Sequence, residues 1–316
     1  MVKSNINSNI WNFLCLLLLF TILSVLLTVE SPKDLNTKKT IHSKMLSRQL
    51  KTFVEIPNPT QQPELFENNK PRIKQKEIPL IYAITPTYYR LTQMADLTRM
   101  ANTLRQVRRL HWIVVEDWTS TNHHIHEFLL FTNMSFTYIS QATRASTNAS
   151  KGNDQKNAAI QWITRNHHWG EQAVVYFADD DNAYDLRLFE EMRYTQKLSM
   201  WPVGLRGGMK AETPIVEDGK VTGFIGWATK YRMFAIDMAG FAVNVSVLWD
   251  YHPMLFETQM PAYTCCTAET KFLEQCCTIE DIEPMADNCT KVYVWHTKTG
   301  KPNYVKDDSR LDHIYV

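Results

Sequence analysis

The sequence predicts an α/β fold with a mostly parallel central sheet, preceded by a membrane-spanning helix and a stem. Three observations carry that expectation. From Ile78 onward, short apolar runs alternate with amphipathic stretches, the pattern of βαβ units whose sheet is covered on both faces. From Ser4 to Val29 no residue is charged. Between these regions the chain is rich in Lys, Gln, Asn and Pro and has no sustained apolar period. The predicted divisions are a cytoplasmic tail over 1–10, a signal-anchor over 11–29, a stem over 30–77 and a lumenal domain over 78–316.

The anchor comes first. Its core, Phe13–Val29, is polar only at Thr21, Ser24 and Thr28. A bilayer core needs roughly 20 helical residues, a length this run reaches with its Asn- and Trp-containing flank. The run is long for a cleaved signal peptide and no compact small-residue cleavage site follows it, so an uncleaved anchor is expected. Lys3 and the amino terminus face Lys33, Lys38 and Lys39 across the membrane, a weak charge bias; a short cytoplasmic tail and a large lumenal body are expected. The stem holds Pro32, Pro57, Pro59, Pro63 and Pro71; such a segment cannot bury enough surface to offset its ordering entropy. Sequons at Asn133, Asn148, Asn244 and Asn288 fit a lumenal body, while Asn58 is blocked by Pro59. Cys15 falls in the anchor. An oxidising lumen permits disulfides among Cys265, Cys266, Cys276, Cys277 and Cys289, with one left over. The absence of a CxxC pair or a spaced His set argues against zinc.

In the body, Pro79–Thr85 reads as a buried strand. Met94, Leu97, Ala101, Leu104 and Val107 then recur at helical spacing. Leu110–Glu116 is the second strand, followed by a polar stretch with helical potential to Phe131. Phe136–Ile139 is the third strand, Asn157–Ile163 belongs to a helix, and Ala173–Ala178 is a fourth strand ending in Asp179-Asp180-Asp181. A helix begins near Leu186. Beyond Trp201 the pattern loosens, and Glu217-Asp218-Gly219-Lys220 reads as a hairpin turn.

Composition removes several function classes. With 34 Lys+Arg against 33 Asp+Glu the net charge is +1, without the basic excess that nucleic-acid binding needs. All 10 glycines lie at or after Gly152, so no Gly-rich dinucleotide turn or P-loop can open the first half. The acidic triplet is the strongest chemical signal. Open α/β sheets bind ligands beyond the carboxyl ends of their strands, and three adjacent carboxylates repel one another unless a cation or donors offset them. A solvated cap for the helix near Leu186 is the competing reading. EF-hand spacing and its glycine are absent.

Seven blocks in order between Pro79 and Pro302 resemble the beta-1,3-glucuronyltransferase family: ITPTY (Ile84–Tyr88), RLHWIVVED (Arg109–Asp117), VVYFADDDNAY (Val174–Tyr184), LFEEMR (Leu188–Arg193), WPVGL (Trp201–Leu205), IDMAGFAV (Ile236–Val243) and VWHTKTGKP (Val294–Pro302). The resemblance implies a GT-A-like nucleotide-sugar transferase fold, a Golgi membrane enzyme of single-pass type II topology, UDP-glucuronate as donor, Mn2+ as cofactor and an inverting mechanism. It implies that Tyr88 and Asp117 hold the uridine, that Asp179 and Asp180 contact ribose or donor sugar, and that Asp181 ligates manganese at the diphosphate. His296 would lie against the donor, Arg232 and Asp237 near the acceptor, and Glu269 would be the general base. The acceptor implied is a galactose-terminated glycan or proteoglycan linkage; nothing in the composition identifies it.

Two departures affect the donor side. A family segment reading roughly R-G-x-x-Q-R-N appears as Lys151-Gly152-Asn153-Asp154-Gln155-Lys156-Asn157, and Lys298 replaces an Arg after the WHT block. Lys keeps the charge but loses the bidentate fork, so Lys151, Lys156 and Lys298 are donor-binding positions with altered grip. The paired cysteines before Glu269 also diverge, which bears on acceptor choice. A transferase for another UDP-sugar and a catalytically silent glycan-binding relative are the alternatives. The sequence leaves open whether the protein is a homodimer.

Overall fold

The structure is a computed structural model that describes residues 77–144, 152–259 and 267–303. The tail, the anchor, the stem to residue 76, Asn148, Lys151, Cys265 and Cys266 lie outside the described residues. The described residues all fall in one compact unit, Lys74–Val316, and no helix among them is long and apolar enough to cross a membrane.

The first half follows the apolar pattern closely. β1 (Leu80–Thr87), β2 (Leu110–Glu116), β3 (Ser135–Ser140) and β4 (Ala173–Phe177) pair in parallel in the order β4-β1-β2-β3. Their continuous apolar runs arise because the inner strands are buried on both faces: Ile81, Ala83, Ile84, Trp112, Ile113, Val114, Val115 and Val175 are fully enclosed. Between the strands lie α1 (Gln93–Leu104), α2 (His123–Phe131) and α3 (Asn153–Asn166). α1 buries Leu97, Ala101 and Leu104, as its spacing predicts, but also Met100, Gln93 and Asp96, with Met94 only partly buried. α2 starts where the Asn122 side chain accepts from His124 N, a side-chain N-cap.

The second half corrects the expectation of a mostly parallel sheet. After β5 (Ala183–Tyr184) and α4 (Leu186–Met192) come β6 (Leu198–Met200), β7 (Val203–Gly204), β8 (Ala211–Glu217), β9 (Lys220–Ile225), β10 (Phe241–Asn244), α5 (Val245–Asp250), α6 (Ala268–Leu273), β11 (Ile282–Pro284) and β12 (Val294–Trp295). The main sheet has seven strands in the order β11-β6-β10-β4-β1-β2-β3 and is mixed, because β10 runs antiparallel to both β4 and β6. A second sheet of five strands, β5-β12-β7-β8-β9, has only its β12–β7 pair parallel. The predicted hairpin joins β8 to β9 through Asp218 (φ 48°) and Gly219 (φ 74°), the two left-handed residues of a type I′ turn.

The reversed strand has a functional consequence. A parallel strand ends where an antiparallel neighbour begins. The segment entering β10, residues 236–240, therefore lies beside the carboxyl end of β4, where the acidic triplet emerges. Trp201, just past β6, is tied to the same place by Trp201 N donating to Gly240 O at 3.0 Å. Gly240 has no room for a side chain, since a Cβ there would lie 2.4 Å from Ile236 Cγ1 and 2.9 Å from Val203 Cγ2.

Two further expectations meet their structural outcome here. Cys276, Cys277 and Cys289 are buried free thiols, not members of a disulfide among the described residues. Asn133 and Asn288 are exposed, but Asn244 donates from its amide to Thr195 O (2.9 Å) while its oxygen caps α5 at Ser246 N (3.0 Å). The nitrogen that a glycan would need is already engaged in the fold.

Candidate active site

A cleft of about 510 Å³ opens beyond the carboxyl end of β4. It gathers residues from six stretches of chain: Asn153 and Lys156 on α3, Asp179 after β4, Arg206 and Glu212 around the β7–β8 turn, Trp227, Arg232 and Asp237 ahead of β10, Glu269 on α6, and His296 after β12. Of the expected site residues, Lys156, Asp179, Arg232, Asp237, Glu269 and His296 thus line one cavity. Tyr88 and Asp117 lie at the ends of β1 and β2, outside its lining, and Lys298 is exposed on the segment that follows His296.

The three acids of the triplet have different partners. Burial pushes Asp179 up to about 7, partly offset by the Lys156 charge, with Asp237 adding to the rise. Burial also raises Asp180, opposed by Arg90 and Thr87; Arg90 Nη2 is 2.7 Å from Asp180 Oδ1, and Thr87 Oγ1 donates to Oδ2 at 2.7 Å. The half-buried Asp181 carboxylate has no hydrogen bond or ion pair among the described residues, although its backbone carbonyl accepts from Thr297 Oγ1. The triplet does not cap the helix that follows it, because that place is taken by Asp185, which accepts from Arg187 N at 2.9 Å and so caps α4.

A bare carboxylate beside the ion-paired Asp180 and the buried Asp179, which has only the Lys156 charge to offset it, fits a divalent cation. Mg-like ions commonly take one or two protein carboxylates and complete their shell with substrate phosphates. No group of three His, Cys, Asp or Glu among the described residues forms a ready-made metal set, so a cation here would draw its remaining ligands from elsewhere.

A buried ionic cluster lines the same cleft. Glu269, on the second residue of α6, has Oε2 3.4 Å from Arg232 Nη2. Burial raises its pKa and the Arg232 charge pulls it back. The helix is held by Thr270 Oγ1 donating to Phe234 O (2.9 Å) and by Phe272 stacking on Phe256 at 4.1 Å. Arg232 also donates to Ile236 O at 2.6 Å. Asp237 caps the turn before β10 through Ala239 N (3.1 Å), and its other oxygen lies 2.5 Å from Arg206 Nε and 3.7 Å from His296 Nδ1. Burial lowers the His296 pKa, so the ring is held toward its neutral form. Lys156 is buried, its ammonium 3.3 Å from Asn153 Oδ1; burial lowers its pKa while Asp179, Glu269 and Asp237 oppose the shift.

Apart from Arg206 Nε, which is ion-paired to Asp237, four buried polar atoms on this lining have no hydrogen-bond partner among the described residues: Glu212 Oε2, Arg232 Nε and both ring nitrogens of His296. Buried orphans normally cost about 1–3 kcal/mol each, and their concentration around one cavity marks a site that receives a polar ligand. Glu212, Arg206 and Trp227 were not singled out from the sequence. Glu212 sits on a strand of alternating burial and accepts from Trp227 N at 3.1 Å.

The Asp117 carboxylate is partly engaged within the fold. Its two oxygens accept from Thr143 N (2.7 Å) and Thr143 Oγ1 (2.6 Å), while Asp117 N donates to Thr87 O at 2.8 Å. A carboxylate has about four lone-pair sites, so two remain for a ligand. Tyr88 is largely exposed, with the Arg90 guanidinium 4.8 Å from its ring centre.

Residues 100–300 match the family described as glycosyltransferase family 43. Galactosylgalactosylxylosylprotein 3-beta-glucuronosyltransferase 2 of Canis lupus familiaris is 44% identical, over 76% of this chain and 74% of that protein. The protein of the same description from Homo sapiens is 44% identical over 76% of each. Galactosylgalactosylxylosylprotein 3-beta-glucuronosyltransferase 3 of Homo sapiens is 38% identical, over 80% of this chain and 77% of its own.

Proposed function

The chain belongs to glycosyltransferase family 43, and from that premise we propose that it is an inverting glucuronosyltransferase. It moves glucuronate from UDP-glucuronate to the 3-hydroxyl of a terminal galactose on a glycan or proteoglycan linkage. The observation that carries this reading is the cleft itself. One cavity holds a buried carboxylate of raised pKa, Glu269, together with Asp179 from the acidic triplet and four unpartnered polar atoms.

The chemistry follows from the placement. Inverting displacement needs a base on the acceptor side and charge compensation on the leaving-group side. Glu269 accepts the proton of the acceptor hydroxyl as that oxygen bonds to the anomeric carbon; the bond from the anomeric carbon to the diphosphate breaks, and UDP leaves with the electron pair. Burial makes Glu269 a stronger base than a solvated carboxylate, and the Arg232 charge opposes part of that rise. His296, largely neutral, can donate one N–H to a diphosphate oxygen. Lys156 sets a cation beside Asp179, and Glu212 Oε2 and Arg232 Nε are left for acceptor and donor hydroxyls. Asp181 would hold Mn2+, which supplies electrostatic compensation of the departing diphosphate. Tyr88 and Asp117 form the uridine end of the site. We place the protein in the Golgi membrane with its body in the lumen, anchored by residues 11–29, and the GT-A-like description of its fold belongs to the same reading.

The test is Glu269→Gln, which keeps volume and hydrogen-bonding shape but cannot take a proton. Turnover should fall at least about 100-fold, the usual contribution of a positioned base, with the Kd for UDP-glucuronate changed little. Near-normal kcat in this variant would move the base elsewhere, to Asp237 first. A panel of UDP-sugars given to the same preparation decides the donor: turnover with another sugar in preference to glucuronate would replace the donor assignment, and binding without turnover would leave a glycan-binding relative.

A further inference from the structure

One buried carboxylate joins two parts of the donor site that are far apart in the chain. Asp96, in the first turn of α1, is fully enclosed. Its Oδ2 accepts from Arg90 Nη2 at 2.8 Å. Its Oδ1 accepts from Thr299 Oγ1 at 2.7 Å and from Arg99 Nη2. Arg99 also donates to Thr299 Oγ1 at 2.7 Å, which closes a three-residue ring on the surface side.

Each arm reaches the site. Through Arg90 the carboxylate fixes a guanidinium that lies 2.7 Å from Asp180 Oδ1, donates to Tyr88 O at 3.3 Å and covers the Tyr88 ring. Through Thr299 it holds the segment carrying His296 and Lys298. That segment is pinned a second time where Thr297 Oγ1 donates to the Asp181 carbonyl. Neither hydrophobic packing nor helix capping needs this arrangement: α1 buries its core face with Leu97, Met100, Ala101 and Leu104. A carboxylate enclosed this deeply is tolerated only because several donors satisfy it.

We propose that Asp96 is a positioning residue of the donor site, holding Arg90 against Asp180 and Tyr88 on one side and the His296–Lys298 segment on the other. The proposal rests on the reading of the cleft as a UDP-sugar transferase site. Its physical content is preorganisation. A long Arg side chain and a terminal loop must both be ordered for the donor to bind, and an anchor that orders them beforehand removes that cost from the binding step. Asp96 itself contacts no reacting atom, so its loss should appear in donor affinity before it appears in the chemical step.

The experiment uses the full chain purified in detergent, with UDP binding by titration calorimetry in the presence of Mn2+ and separate KM values for donor and acceptor. Asp96→Asn should weaken UDP binding about tenfold and raise donor KM in parallel, with acceptor KM unchanged and kcat within about threefold of the wild type. Thr299→Val removes the second arm without disturbing the core and should weaken UDP binding about three- to fivefold. The double variant should be no weaker than Asp96→Asn alone, because Thr299 acts through Asp96, and that non-additivity is the signature of a shared network. Arg90→Lys keeps the charge but loses the second nitrogen that bonds Tyr88 O and the planar group over the Tyr88 ring, and should also lose donor affinity. A lowered melting temperature with unchanged UDP affinity in Asp96→Asn would make the residue purely structural and overturn the proposal. Should Asp96→Asn fail to fold, wild-type UDP affinity in both Thr299→Val and Arg90→Lys overturns it equally. A wild-type protein that binds no UDP removes the transferase reading, and this inference with it.

Discussion

Replacing Arg232 with methionine should move the acid limb of the pH–rate profile to higher pH. Arg232 Nη2 stands 3.4 Å from Glu269 Oε2, and both residues are buried. Two unit charges at that separation attract by about 5 kcal/mol at an effective dielectric near 20, and Lys156 also favours the ionised carboxylate. A neighbouring cation favours the ionised form of a carboxylate, so removing this one should let the Glu269 pKa rise. The sign follows from what the base must do. Glu269 works deprotonated, and activity is lost as pH falls through its folded-state pKa. Burial already raises that pKa and Arg232 lowers it, so deleting the guanidinium lets it climb and the loss sets in earlier on acidification. Methionine fills much of the arginine stem, but Ile236 O and Trp227 O lose their donors, so melting temperature is recorded alongside. The assay is kcat/KM against pH for wild type, Arg232→Met and Glu269→Gln. An acid limb that stays in place in Arg232→Met, or survives unchanged in Glu269→Gln, would show that Glu269 is not the titrating base.

Three further outcomes are expected. Asp181→Asn should abolish turnover and Mn2+-dependent UDP binding while leaving the melting temperature near that of the wild type; full activity in this variant, or in excess EDTA, contradicts the metal assignment. Gly240→Ala should destabilise the domain by about 1–3 kcal/mol, the usual cost of overpacking, because its methyl would meet Ile236 and Val203; an unchanged thermal transition would mean that the segment beside Asp237 relaxes freely. A fragment beginning at Ile78 should be soluble and active, whereas the full chain should stay in membranes with its amino terminus intact. A mature terminus shortly after residue 24 in secreted protein would instead identify a cleaved signal peptide.

Much of the first half of the domain is legible in the sequence, because its strands are long enough for burial to leave a pattern. Leu110–Glu116 is a strand with the expected bounds, and β1 differs from its expected run by a residue or two. The placement of Asp179–Asp181 at a strand's carboxyl end followed from the apolar run before it, and the family resemblance pointed to Glu269 and His296, which do line one cleft.

The remainder depended on tertiary structure. β6, β7, β11 and β12 have two or three residues each, too few for any period to register, and the four residues of β10 carry no mark of their direction. Yet the antiparallel course of β10 is what brings Asp237 and Arg232 beside the triplet. Asp96 is the clearest case. On a helix whose apolar positions are regular it reads as a solvent-facing first-turn acid, the ordinary place for a charge that suits the helix dipole. Only the fold reveals that it is enclosed and bonded to Thr299, 203 positions along the chain. Sequence pattern reports how much of each residue is buried over a few turns; which buried charge meets which is decided by strand order and direction, and those emerge only when the distant segments pack.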